Sequence, residues 1–104
     1  MNETIQALSI AGFDSGGGAG LQADLKTFQE RMVFGTSVLT ALPIQNTQGV
    51  QKVYAIPLEA IEDQLAIIKT DFKLAAVKTG MLFTADITKL VADFLKTAAF
   101  GPLV

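Results

Sequence analysis

The sequence predicts an α/β protein, a mostly parallel sheet flanked by helices. Three observations carry that expectation. Strand-length apolar runs alternate three times with stretches whose apolar residues recur at helical spacing, and a last strand-like run closes the chain. The run Ser37-Val38-Leu39-Thr40-Ala41-Leu42 is nearly continuous in apolar and β-branched residues, as expected of a strand covered on both faces. A loop holding five of the nine glycines joins the first strand to the first helix.

The elements follow in order. Ala7, Leu8, Ile10 and Ala11 mark a first strand over residues 6–11. Leu21, Leu25, Phe28 and Met32 then place a helix over 20–32, and Gly35 is expected to break the chain. The second strand, 37–42, is expected to end at Pro43, since proline cannot donate to a central ladder. Residues 44–49 read as a polar loop, and 50–56 as a short strand or an extended crossover. Pro57 suits the first turn of a second helix, whose stripe is Leu58, Ile61, Leu65 and Ile68, with Glu59, Glu62, Asp63 and Lys69 elsewhere. Residues 75–79 read as the next strand and Gly80-Met81-Leu82-Phe83 as its outgoing loop. Thr84 is the expected N-cap of a third helix, with Asp86 set against the dipole and Ile87, Leu90, Val91, Phe94 and Leu95 along one side. Gly101-Pro102-Leu103-Val104 reads as a strand beginning. An apolar strand left without its crossover predicts that these residues are the N-terminal piece of a longer protein.

A chain of 104 residues is one domain at most, and half its residues are apolar with 17% charged, a core-rich globular composition. Eight basic and ten acidic residues, net −2, argue against a nucleic-acid or polybasic membrane surface. Without cysteine there is no disulfide, thiolate metal site or cysteine nucleophile within these residues, and without histidine the commonest neutral-pH base is missing too. Carboxylates, lysines, hydroxyls and backbone amides are left for chemistry. The start, Met1-Asn2-Glu3-Thr4, is not a basic signal region. Residues 32–51 carry no charge, but Pro43, Gln45, Asn46, Gln48 and two glycines interrupt them, so they read as strand and loop rather than a membrane span. A cytoplasmic protein is the default expectation.

The glycine loop is neither a P-loop, since no Gly-Lys-Ser/Thr follows, nor a dinucleotide fingerprint. Reading from Gly16 and Gly18, Leu21 stands where the third glycine belongs, and the region about 20 residues on reads Ser37-Val38-Leu39-Thr40, with no ribose-binding acid. Gly18 and Gly20 are expected to be backbone requirements. The loop opens onto a helix N-terminus, which favours anions or polar acceptors. Asp14 lies in the loop, and Asp24, four residues past Gly20, can lie on the helix face near its mouth, which suits a neutral ligand with donor groups better than a bare phosphate. Gln45-Asn46 and Gly80-Met81 follow later strands. All three sites are expected beyond the carboxyl ends of strands, where open α/β sheets place small ligands.

The stretch Ala11-Gly12-x-Asp14-Ser15-Gly16-Gly17-Gly18-Ala19-Gly20-x-Gln22-Ala23-Asp24-Leu25-Lys26-Thr27 resembles the N-terminal signature of hydroxymethylpyrimidine/phosphomethylpyrimidine kinases of thiamine biosynthesis. Residues 37–42, then Gln45-Asn46-Thr47-Gln48-Gly49-Val50, match a second block of that family, and Val77-Lys78-Thr79-Gly80-Met81-Leu82 a third. The resemblance implies a ribokinase-like fold, here as three βα units and a truncated strand. It implies MgATP-dependent phosphorylation of the pyrimidine hydroxymethyl group and then of the monophosphate, and a homodimer. It places Gly12, Asp24, Gln45 and Met81 on the pyrimidine, where Asp24 and the Gln45 amide suit the ring's donors and acceptors and Met81 a soft apolar wall.

The family's ATP site, and a Gly-Thr-Gly-Cys anion hole with its catalytic cysteine, belong to a C-terminal half that these residues do not include. The resemblance therefore assigns residues 1–104 to the N-terminal, substrate-binding portion of one ribokinase-like domain, with no catalytic residue among them. Phe13 stands where a small hydroxyl residue is common, and Pro43 where a small or β-branched one is; both flank the expected pocket. Related kinases also phosphorylate pyridoxine or pyridoxal. Pyrimidine kinase, B6-vitamer kinase and stand-alone heterocycle-binding domain all remain open at this point.

Overall fold

The computed structural model describes residues 4–97 and 102–104. Its elements are β1 (Gln6–Ala11), α1 (Gly20–Glu30), β2 (Phe34–Leu39), β3 (Ala41–Asn46), β4 (Gly49–Ala55), α2 (Leu58–Asp71), β5 (Ala76–Thr79) and α3 (Ala85–Thr97). Three strands form a parallel sheet in the order β2-β1-β5, and β3 and β4 pair separately as an antiparallel hairpin. Residues 102–104 continue the sheet beyond β5: Leu103 bridges Val77 in parallel, and the Val104 N–H donates to the Val77 carbonyl at 2.8 Å. Gly101 lies outside the described residues.

β1 is the middle strand, and its alternation of small and large residues divides the two faces of the sheet. Leu8 and Ile10 point to one face with Val38 and Val77, and there Ile61 and Leu65 of α2 and Ile87 and Val91 of α3 complete the buried core. Ala7, Ser9 and Ala11 point to the other face, in register with Gly35, Ser37, Ala76 and Lys78. Apart from Lys78 and Leu39 that face is lined by small residues, and α1 packs on it closely. A Cβ at Gly35 would come within 2.7 Å of the Phe28 ring, so this glycine permits the helix to approach. Gly35 does not break the chain as expected; it lies inside β2, and the break falls earlier, where Met32 turns left-handed (φ 60°). α1 accordingly ends at Glu30, two residues before the expected limit.

The expected strand over 37–42 is two strands. Thr40, fully buried, is the pivot between them: its N–H donates to the Ala11 carbonyl at 3.0 Å and its carbonyl accepts the Ile56 N–H at 3.0 Å. Residues from Ala41 onward leave the central sheet and enter the hairpin. Pro43 does not end a strand but sits within β3 opposite Val53. A two-stranded ribbon leaves alternate N–H groups unpaired, so the missing donor is tolerated there. The expected polar loop shrinks to the tip around Thr47 and Gln48, while Ile44, Gln45 and Asn46 belong to β3.

The second and third helices follow the sequence reading. Pro57 stands at the N-cap position of α2, one residue before its first turn and without a side-chain cap. Ile61 and Leu65 are buried and Ile68 packs against them, while Leu58 in the first turn stays 44% exposed. The Thr84 hydroxyl accepts the Ile87 N–H at 3.1 Å, the expected cap of α3. Gln64 of α2 has a role that its helical position does not announce. Its Oε1 accepts the Leu39 N–H at 2.9 Å and its Nε2 donates to the Leu39 carbonyl at 3.0 Å, so one carboxamide satisfies both backbone groups at the end of an edge strand. Gln64→Ala should cost about 1–3 kcal/mol by orphaning both groups. Gln64→Glu, which keeps only an acceptor, should fall between. A urea midpoint unchanged in Gln64→Ala would refute this role.

Candidate functional site

The chain runs from β1 to β2 on one side of the sheet and returns to β5 on the other, so the loops after β1 and β5 diverge to opposite faces. The crevice between their carboxyl ends is the topological switch point of an open α/β sheet, where such sheets take ligands. Gly12 follows β1 there, and Gly80 and Met81 follow β5. A cavity of about 370 Å³ opens at this point, roofed by the hairpin.

Each wall has a local cause. Gly12 and Met81 meet across the crevice: a Cβ on Gly12 would lie 3.4 Å from Met81 Sδ. Met81 is held by the Thr40 hydroxyl, which donates to its carbonyl at 2.6 Å, so the strand-to-hairpin pivot also sets the apolar wall. The hairpin supplies Pro43 and Gln45 from β3 and Val50 and Val53 from β4. In a regular strand, residues three apart point to opposite faces. Here the register slips at Ile44/Gln45, Ile44 pairing with Lys52 but Gln45 with Val50, which leaves Gln51 as an extra residue. That bulge turns Val50 and Val53 to the same side.

The glycine loop closes the cavity on a third side through Asp14, Ala19 and Gly20. The Gly16, Gly18 and Ala19 N–H groups donate to the Asp14 carboxylate at 3.2, 3.1 and 2.9 Å. Gln22 Oε1 accepts the Asp14 N–H at 2.9 Å, and the Gly12 carbonyl accepts the Leu21 N–H at 2.9 Å. The loop's amides thus already hold an anion, the chain's own carboxylate. A phosphate would have to displace Asp14 and meet its charge, so the loop is a cavity wall and not a phosphate cradle. Of the two glycines expected to be backbone requirements, Gly20 is one, with φ 68°, but Gly18 is not: the other left-handed glycine of the loop is Gly17, φ 69°.

The sequence-derived site residues divide into two layers. Gly12, Gln45 and Met81 line the cavity together, and the flanking Phe13 and Pro43 line it too. Gln45 leans on the loop, its Nε2 donating to the Phe13 carbonyl at 3.5 Å and its own carbonyl accepting from the Ser15 hydroxyl at 2.7 Å. Asp24 stands one layer behind. Its Oδ2 accepts from the Ser9 hydroxyl and pairs with Lys78 Nζ, both at 2.7 Å, and it is Lys78 that borders the cavity. Sequence reasoning passed over Lys78, Ser9, Thr40 and the two valines. The available signal for Lys78 was a charged residue inside an otherwise apolar strand, one step from its carboxyl end.

An open parallel sheet with a largely apolar crevice at its switch point, and a loop whose amides are already satisfied, defines an α/β protein with a candidate small-ligand pocket. Comparison with known sequences narrows the class. The family model for phosphomethylpyrimidine kinase matches residues 14–104, and the chain belongs to that family. It is 57% identical over its whole length to a hydroxymethylpyrimidine/phosphomethylpyrimidine kinase of Haemophilus influenzae, of which it spans 39%. The crystal structure of a phosphomethylpyrimidine kinase from Clostridium difficile superposes with a TM-score of 0.92 at 41% identity, over 96% of this chain and 43% of that one. A Bacillus subtilis pyridoxal kinase in complex with ADP superposes with a TM-score of 0.88 at 43% identity, over 97% of this chain and 40% of that one. The expected ribokinase-like fold is thereby established, and the chain spans about two fifths of the length of each of these three relatives.

Proposed function

We propose that residues 1–104 form the N-terminal, substrate-binding portion of a ribokinase-like kinase domain. That kinase phosphorylates 4-amino-5-hydroxymethyl-2-methylpyrimidine and then its monophosphate, in thiamine biosynthesis. The observation that carries this reading is the switch-point cavity. It is sized for one heterocycle and walled by Gly12, Gln45 and Met81, three of the residues named for pyrimidine contact. Gly12 leaves room for a flat ring to approach the backbone, Met81 supplies a polarizable face, and the Gln45 carboxamide can donate and accept at a ring edge. Asp24 serves the same pocket from behind Lys78.

MgATP as phosphoryl donor belongs to the same reading, supported by the likeness to an ADP-bound relative. The described residues of this chain do not fit it. The loop amides are committed to Asp14, and the described residues hold no group of three or more acidic side chains placed to bind a metal ion. No transfer step is therefore assigned to them. A homodimer and a cytoplasmic location complete the proposal. No helix among the described residues is long and apolar enough to cross a membrane, and residues 32–51 fold into strands.

A B6 vitamer is the second reading, favoured by the comparable likeness to a pyridoxal kinase. Calorimetric titration of the 104-residue chain with the hydroxymethylpyrimidine and with pyridoxal separates the two. The expected result is preferential pyrimidine binding, weakened roughly tenfold by Gln45→Ala through loss of a buried hydrogen bond. With MgATP added, no pyrimidine-dependent ADP release is expected. Preference for pyridoxal would favour the second reading, and ADP release abolished by Asp14→Asn would mean that the catalytic apparatus is in these residues.

A further inference from the structure

The geometry points to Lys78 as a ligand-facing hydrogen-bond donor, with Asp24 and Ser9 as the residues that position its ammonium. The inference rests on the heterocycle-binding reading above and adds a specificity-determining residue to it. Lys78 lies in register with Ser9 across the parallel pair β1–β5, so the two side chains share the face on which α1 sits. One turn into that helix, Asp24 reaches down between them. A single oxygen, Oδ2, accepts from both.

An ammonium has three N–H donors and no acceptor. One donor of Lys78 goes to Asp24, its one protein acceptor among the described residues. The Lys78 side chain is 36% exposed and Asp24 18%, and only Lys78 borders the cavity, so the carboxylate backs the ammonium and leaves its other donors on the open side. Gly80 keeps the approach clear: a Cβ there would stand 3.4 Å from Nζ. Ser9, fully buried in the middle strand, has Asp24 as the partner of its hydroxyl. An arrangement serving stability alone could be apolar here at no loss, since partly buried ion pairs seldom outperform hydrophobic packing. The paired charges nearly cancel, which suits a neutral ligand. The group they would meet is an in-plane lone pair, the ring nitrogen of an aminopyrimidine.

The test is a chemical cycle on the 104-residue chain. Calorimetry measures binding of 4-amino-5-hydroxymethyl-2-methylpyrimidine and of its two analogues in which one ring nitrogen is replaced by C–H. Lys78→Met should weaken the parent pyrimidine roughly tenfold to a hundredfold. One analogue should bind weakly to the unsubstituted chain and lose nothing more in Lys78→Met. Equal losses for all three ligands would overturn the contact, because a purely structural role weakens each alike. Asp24→Ala should weaken binding in the Lys78 background and add less than about twofold in Lys78→Met. A further tenfold loss there would mean that Asp24 touches the ligand itself and does not act through Lys78.

A measurement without substitution guards against a misfolded variant. The Lys78 13Cε resonance should move on saturation with the parent and stay put with the insensitive analogue; no movement with the parent overturns the proposal. If the chain takes pyridoxal and not the pyrimidine, the substrate reading fails, while the same cycle run on pyridoxal and its C–H analogue still decides Lys78. Binding of neither overturns both.

Discussion

Gly20→Ala is expected to be among the most damaging single substitutions in the chain. Gly20 opens α1 at φ 68°, and a Cβ built there would sit 2.5 Å from the Gly12 carbonyl oxygen and 3.3 Å from the Asp14 nitrogen. The left-handed conformation alone costs a non-glycine residue about 1–2 kcal/mol. The clash adds to it, because the obstructing atoms are backbone and cannot rotate away. Gly12 is tied by its carbonyl to Leu21, so the strain passes directly into the cavity wall. A total loss of about 3 kcal/mol or more is a large share of the roughly 5–15 kcal/mol that stabilises a small domain. The measurement is a thermal melt of the variant beside Gly18→Ala. Gly18 lacks the left-handed φ, and a Cβ there would meet only Asp14 Oδ2 at 3.8 Å. Gly18→Ala should therefore be neutral or stabilise by about 0.4–1 kcal/mol. Equal melting temperatures for the two variants would refute the assignment.

The second large effect is expected at Ile10. It is fully buried in the middle strand and faces the helices α2 and α3, where Ile61, Leu65, Ile87 and Val91 converge. Ile10→Ala leaves a cavity bounded by regular elements on all sides, and substitutions of this kind cost about 2–5 kcal/mol. Ile10→Val should cost about 0.5–1.5 kcal/mol, giving a graded series. Because Ile10 lies on the face opposite Ser9, the stability loss should leave heterocycle affinity of the remaining folded protein unchanged. A urea midpoint for Ile10→Ala within error of the parent would contradict the placement of the core. An affinity change in Ile10→Val would contradict the separation of the two faces.

The elements that bury their own pattern were legible in the sequence. β1 has the limits its apolar run implies, α2 shows its stripe at Ile61 and Leu65, and Thr84 caps α3 through its hydroxyl. The hairpin was not legible. A run such as Val38-Leu39-Thr40-Ala41-Leu42 is apolar or β-branched throughout whether it continues in one sheet or leaves it, because both paths bury it. What separates them is Thr40, whose backbone and hydroxyl bonds go to Ala11, Ile56 and Met81, partners distant in sequence. Pro43 misled for a related reason: proline is excluded from a central ladder, but a two-stranded ribbon has free edges.

At the site the division is the same. The sequence by itself determined the strand–loop–helix at the first βα junction and the family signature, and the resemblance that the signature carries named three residues that line the cavity. Only the tertiary structure decided the chemistry behind that wall. Asp14 looked available for a ligand, yet it is spent on the loop's own amides, since a carboxylate two to five residues from free N–H groups reaches them before any solute does. Asp24 was expected at the ligand, and the structure pairs its carboxylate with Lys78 and Ser9, because the β1–β5 register sets Lys78 beside Ser9 beneath the helix that carries Asp24. Periodicity places a side chain on a face of its own element. Which charge meets which across 54 residues of chain is settled only when the strands align.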